Sequence, residues 1–182
     1  IRAGVDIYAA HTNADVVENG VSEALAQALK IEDLSPLVPT GEAIGHGRIG
    51  DLPAEVSLGD FARFVASVLP STAQGVKVAG DFNLPIRRVA VCGGSGDSFI
   101  DAAVEAGADA YLTSDLRHHP VQDTREGASL KNQKPALIDV AHWAGEWMWL
   151  EVAAGQLAQE FNEVQFVVSH LRTDPWDFVV TQ

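Results

Sequence analysis

Ala136-Leu137-Ile138-Asp139-Val140-Ala141-His142-Trp143-Ala144-Gly145-Glu146-Trp147-Met148-Trp149-Leu150 reads as a short apolar strand running straight into a helix that opens near His142. His142 and Glu146 are four apart, so they stand one turn above the other on the same helical face. Trp143, Trp147, Leu150, Ala154, Leu157 and Phe161 recur at helical spacing and are expected to form a core stripe. The His–Glu pair lies about 100° around the helix from that stripe. It flanks the strand-to-helix turn, where open α/β sheets bind ligands.

Two readings of the pair stand side by side. An imidazole and a carboxylate one turn apart suit a shared Zn, Fe, Mn or Ni ion. Equally, an amphipathic helix can carry one His and one Glu in its first turn without a metal. The positive end of a helix disfavours a cation, so the metal reading needs further acids close by.

The chain has 182 residues, 47% of them apolar and 20% charged, an ordinary globular balance. Twenty-five acids against 12 bases give a net charge of -13. That argues against direct nucleic-acid binding, which needs a basic face. It leaves room for nucleotides, whose phosphates can be met through metal ions or backbone amides. The single cysteine, Cys92, sits in an apolar run and reads as a buried hydrophobe. No apolar stretch reaches the roughly 18 residues of a membrane span. No secretory signal is visible, so a cytoplasmic location is expected.

Along the chain, Ala3–Ala10 reads as a strand and His11-Thr12-Asn13-Ala14-Asp15 as its exit. That exit is either a polar turn capping its own amides or part of a site. Val21–Lys30 reads as a helix buried through Val21, Leu25 and Leu29. Residues 31–56, rich in Pro and Gly, read as extended chain and turns with an edge strand near Ile44–Ile49, where His46 is an ordinary surface or turn residue. Ser57-Leu58-Gly59-Asp60 is a variant capping box that opens a helix to about Leu69.

Gly75–Ala79 and Ile86–Cys92 read as strands, followed by Gly93-Gly94-Ser95-Gly96-Asp97-Ser98 and a helix to Ala106. Strand, glycine loop and helix is an arrangement that offers amides to an anion, but it matches neither the dinucleotide fingerprint nor the P-loop. A tight turn needing glycine dihedrals explains it as well. Ala110–Thr113 is a short strand, left by Ser114-Asp115-Leu116-Arg117-His118-His119. Residues 122–135 read as a polar loop, and Val164–Ser169 and Trp176–Val180 as closing strands.

The count carries more than any one motif. His11, Asp15, Asp115, His118, His119, His142 and Glu146 all fall at or just after strand ends. Alternating strands and helices imply an α/β protein with mostly parallel or mixed sheets, which gathers these residues along one carboxyl edge. Several acids with several imidazoles is the donor set of a two-metal site.

Four of these stretches, His11–Asp15, Gly93–Ser98, Gly107–Asp115 and Ile138–Glu146, occur in the order seen in one family, and the chain resembles it over nearly its whole length. It is the Nif-three-like dinuclear-metal hexameric proteins, also labelled GTP cyclohydrolase type-two homologues. The form Asp139-Val-Ala-His-Trp-Ala-Gly-Glu-Trp147 is similar to its actinobacterial branch. The resemblance implies two α/β lobes with the site between them, a homohexamer, and two divalent metal ions. It implies Asp15, His142 and Glu146 as metal ligands, with Glu146 bridging. The family's further ligands are a His-His pair upstream of the His-Thr-x-x-Asp motif. The sequence begins ten residues before that motif, and His118-His119 belongs to a later one, so the upstream role is not transferred to it. The chain is therefore expected to be the last two-thirds of the family fold, in its compact form, with lobes at 1–74 and 75–182.

The functional expectation is a metal-dependent hydrolase of a nucleotide-like or phosphorylated small molecule. His11 or His118 would serve as acid or base, and Gly94, Ser95, Gly96 and Asp115 would hold substrate. The rival is a metal-bearing oligomeric scaffold without catalysis, for which the tryptophan-rich helix would serve as an interface. A third reading, phosphate or nucleotide binding without metal, rests on the glycine stretch.

Overall fold

The structure, a computed structural model, describes residues 2–131 and 135–181. One six-stranded mixed sheet organises it, in the order β1-β2-β4-β5-β6-β3. The strands are β1 (Glu32–Pro39), β2 (Gly45–Ser57), β3 (Lys77–Ala79), β4 (Pro85–Ser95), β5 (Ala110–Ser114) and β6 (Ala136–Val140). The central β4, β5 and β6 are parallel, and the outer pairs are antiparallel. The helices are α1 (Thr12–Asp15), α2 (Val21–Ala28), α3 (Leu58–Val68), α4 (Ile100–Glu105), α5 (His118–Lys131), α6 (His142–Trp147) and α7 (Trp149–Glu160).

The parallel strands are apolar on both faces, as strands covered from both sides must be. Val89, Val91, Leu112 and Ile138 point to one face and pack with Leu25, Leu29, Phe61 and Val65 of α2 and its C-terminal turn and of α3. The alternate residues Ala90, Cys92, Tyr111 and Leu137 meet Ile100 and Ala103 of α4 on the other. Helix α3 starts as its capping box requires, with the Asp60 amide donating to Ser57 Oγ at 3.1 Å. No helix among the described residues is long and apolar enough to cross a membrane.

Several expectations are corrected. Residues 31–56 form two long strands. Pro36 and Pro39 are tolerated because β1 is an edge, and Pro53 falls where the β2–β4 register shifts between Asp51 and Val56. Residues 118–131 are helical, although 122–135 reads as a loop. Helix α5 is polar and leans on local pairs such as Gln122–Glu126 (3.0 Å), so it lacks an apolar period; residues 132–134 lie outside the described ones.

Ala3–Ala10, Val164–Ser169 and Trp176–Val180 are not strands here. Ile7 is 93% and Tyr8 86% exposed, and none of these segments joins the sheet, whose ladder a strand needs. The expected Trp143–Phe161 stripe is also not the buried face. Ala144 and Gly145 are buried in α6, no residue of α7 is, and Leu157 and Phe161 are exposed. The small residues let α6 sit close to the sheet while the tryptophans lie beside it. Strands from both sides of residue 74 share the one sheet.

Arg48, 2% exposed, ties the first helices to this sheet. Its Nε donates to Glu23 of α2 (3.2 Å), Nη1 to the carbonyls of Gly45 (2.9 Å) and Gly47 (2.8 Å), and Nη2 to that of Val17 just after α1 (2.8 Å). Arg48→Ala takes its partner from the part-buried Glu23 and leaves the buried Gly45 and Gly47 carbonyls without this donor. It is expected to lower unfolding free energy by about 3–5 kcal/mol, the cost of breaking a buried ion pair, measured by urea denaturation.

Candidate functional site

Strand register builds the site. In the parallel pair β5–β6, Ser114 lies opposite Val140, so the residues leaving the two strands emerge side by side. Asp115 leaves β5 with a left-handed backbone (φ 56°), a conformation that Asp tolerates and that turns the chain sharply. The turn is held by Asp139 of β6, whose Oδ1 accepts from the Leu116 amide at 3.2 Å and which also pairs with Lys77. From β6, Ala141 stays extended and His142 opens α6. Asp115 Oδ2 then stands 2.6 Å from His142 Nδ1. One turn along, Glu146 Oε1 stands 2.9 Å from His142 Nε2.

The neighbouring strand makes room for this group. β4 continues through Gly93 and Gly94 to Ser95, where a loop was expected. Gly94 has φ +74°, and a Cβ on it would lie 2.6 Å from Glu146 Oε1 and 3.4 Å from His142 Nε2. A Cβ on Gly93 would lie 2.4 Å from Val21 Cγ1 of α2. The carbonyls of Gly94 and Gly96 accept from Thr113 Oγ1 (2.9 Å) and Tyr111 OH (2.8 Å). This glycine stretch therefore gives close approach of α2 and α6 to the sheet; Ser95 is exposed, while Gly94 and Gly96 are buried.

Asp15 faces the same group from α1. Asp15, Glu146 and the exposed His11 line one cleft of about 330 Å³, closed on its other side by Trp143, Trp147 and Leu150. Partial burial, and then the charge on Glu146, push the Asp15 carboxyl up against the opposing pull of His11, His46 and His142. His46 is thus part of the electrostatic group, although the sequence marks it as an ordinary residue. It stacks on Phe99 (centroids 5.1 Å apart), and the Gly45 amide beside it donates to Val16 of the α1 turn. Only the docking of β2 on α1 reveals this. His118 is not brought here; it lines a separate pocket with Lys77 and Asp139.

Among the described residues no three His, Cys, Asp or Glu side chains converge into a preformed cation cage. The donor chemistry nonetheless fits a divalent ion. His142 has one ring nitrogen held by Asp115, the arrangement that orients a metal-ligating imidazole. Asp15 and Glu146 repel each other across one cleft, and a cation between them would relieve that cost.

A mixed α/β protein with carboxylates and an imidazole at the carboxyl ends of its parallel strands is the class that fold and site define. Residues 1–175 match the family described as Duf34/NIF3 (NGG1p interacting factor 3), and the chain belongs to that family. A Streptomyces coelicolor protein named "GTP cyclohydrolase 1 type 2 homolog" is 44% identical over 97% of this chain and 63% of its own length. A Mycobacterium leprae protein of the same name is 45% identical over 80% of this chain and 37% of its own. The chain thus spans less than two-thirds of either relative. A Bacillus cereus protein described as related to NIF3 shares the fold, with a TM-score of 0.87 at 23% identity over 98% of this chain and 75% of that one.

Two outcomes are expected of the metal-free chain. The bond to Glu146, with that to Asp115, holds the His142 imidazole protonated against the opposing effect of burial, so its pKa is pushed up to about 9 from an ordinary 6.5. A folded pKa above the unfolded one gives stability that is complete below about pH 6.5 and is lost as pH rises through about 9. An NMR titration should show the high value, and Glu146→Gln should bring it down towards 6.5. Gly94→Ala should cost roughly 1–2 kcal/mol from its left-handed backbone alone and displace the Glu146 carboxylate, read as a matching fall in the His142 pKa.

Proposed function

We propose that the chain carries the ligands of a dinuclear metal centre and that its protein is a metal-dependent hydrolase of a nucleotide-like or phosphorylated small molecule. The observation that carries this reading is His142 clamped between Asp115 and Glu146, with Asp15 electrostatically coupled to Glu146 across the cleft. Asp15, His142 Nε2 and Glu146 would hold the ions, and these donor types suit Zn, Fe, Mn or Ni. Bound divalent ions would supply an acidified water and polarise the attacked centre.

The chain's own groups supply the rest. Asp115 fixes the His142 tautomer by accepting from Nδ1. His11, exposed at the cleft and beside Asp15, is the residue placed to carry a proton to or from substrate. His118, in its separate pocket, is not given that role. Cyclohydrolase chemistry is the label of the relatives and enters here only as a candidate reaction.

A second reading, a metal-bearing oligomeric scaffold, is favoured by a different observation. Leu157, Phe161, Trp176 and Phe178 are each exposed, and large apolar side chains left in solvent are the kind that subunits bury. A homohexamer is the assembly proposed for either reading.

The test is metal content per protomer by elemental mass spectrometry, on this chain and on the full-length protein, with Asp15→Asn and Glu146→Gln. Metal that falls in both variants supports the centre. Metal-free protein in every form sinks it. With metal present, a screen of nucleotides and phosphoesters decides between hydrolase and scaffold, because only the former loses turnover in Glu146→Gln.

A further inference from the structure

Beside its acidic end the cleft has an aromatic wall whose purpose the metal ligands do not explain. Trp147 and Trp143 stand with ring centroids 6.4 Å apart at 52°. His170, from the C-terminal segment, adds its imidazole 5.9 Å from Trp147 at 50°. The chain itself therefore shows a heterocycle held against this indole. Trp147 Nε1 is buried and has no hydrogen-bond partner among the described residues. An unpaired buried donor is costly, and a small shift of the indole towards an acceptor-bearing ring would pair it.

Charge narrows the ligand further. Among the described residues lining the cleft none is Lys or Arg, while Asp15 and Glu146 both face it. A free phosphate on this wall would meet repulsion from Asp15 and Glu146 and no lysine or arginine to hold it. The volume of about 330 Å³ is at the small end of the roughly 300–1,000 Å³ of sites that enclose a whole small molecule. The wall therefore takes one ring-sized part of its ligand. Indole faces favour planar π-systems and cations in offset or tilted contact.

We propose that the Trp143–Trp147 wall is a subsite for a neutral or cationic planar heteroaromatic ring, the base end of a nucleoside-like ligand. The phosphate-bearing part of such a ligand lies outside this wall. The inference rests on the cleft being the substrate site. It adds that ring recognition belongs to the tryptophans and is independent of metal.

The experiment is isothermal titration calorimetry on this chain, stripped of metal with EDTA, with guanosine and adenosine as probes and ribose 5-phosphate as the ring-free control. The nucleosides are expected to bind and the control not to. Trp147→Leu should weaken binding by about tenfold, the scale of one base–aromatic stack, while Trp147→Phe retains most of it. Saturation-transfer NMR on the unmodified chain reads the same contact without a variant, with base protons saturated more strongly than ribose protons. Binding of ribose 5-phosphate alone, no nucleoside binding, saturation centred on the ribose, or full affinity in a folded Trp147→Leu protein each overturns the proposal. Metal uptake without nucleoside binding removes this inference and leaves the metal centre. Nucleoside binding without metal uptake does the reverse.

Discussion

A guanidinium inside a protein is tolerated only when its donors are met, and Arg48 meets four acceptors from three separate pieces of chain. The consequence is positional. Glu23 belongs to α2, Val17 follows α1, and Gly45 and Gly47 belong to β2, so one side chain locks both N-terminal helices against the sheet. Helix α1 is a single turn with one buried residue, Ala14, too short to hold itself. With that lock, and with the Gly45 amide donating to Val16, Asp15 is held in place relative to Glu146. The electrostatics of the cleft therefore begin with a residue that does not touch it.

The site itself is a balance of like and unlike charges. Two carboxylates flank His142, and a third, Asp15, is pushed up by burial and by Glu146. In the absence of metal the imidazolium is the cation that offsets them, although the positive end of α6 works against it. A divalent ion would take over that duty and release the proton, as metal binding to histidine requires. The same carboxylates that suit a cation make the aromatic side of the cleft unwelcoming to phosphate.

The apolar chain at 5–8 and 164–180 is exposed along most of its length. In sequence these stretches have the composition of strands, and composition of that kind expresses a preference for a pleated, half-buried surface. They pair with none of the strands of the described sheet, whose edges are β1 and β3. Their strand-like pattern is therefore not met within the described sheet.

Local pattern was enough to locate β6, the start of α6, the buried face of α2 and the cap of α3. Each is set by residues within a few positions of one another, through periodicity or a capping side chain. The same local logic picked out Asp115, His142 and Glu146, because strand ends in a parallel sheet share one edge; Asp15 reads as following a strand that does not form, and it stands instead on α1. It misread β1 and β2, where proline is admitted by an edge and by a register shift that the sequence does not display. It misread the tryptophan helix, because helical spacing does not say which face meets the sheet; Ala144 and Gly145 took that face. It placed His118 with the site and His46 outside it. Helix α5 carries His118 to another pocket, and β2 brings His46 to α1. That Asp115, His142 and Glu146 follow strand ends was determined by the sequence alone. Which strand end faces which helix was decided only by the tertiary structure, since register, edge position and the reach of Arg48 are properties of the assembled sheet.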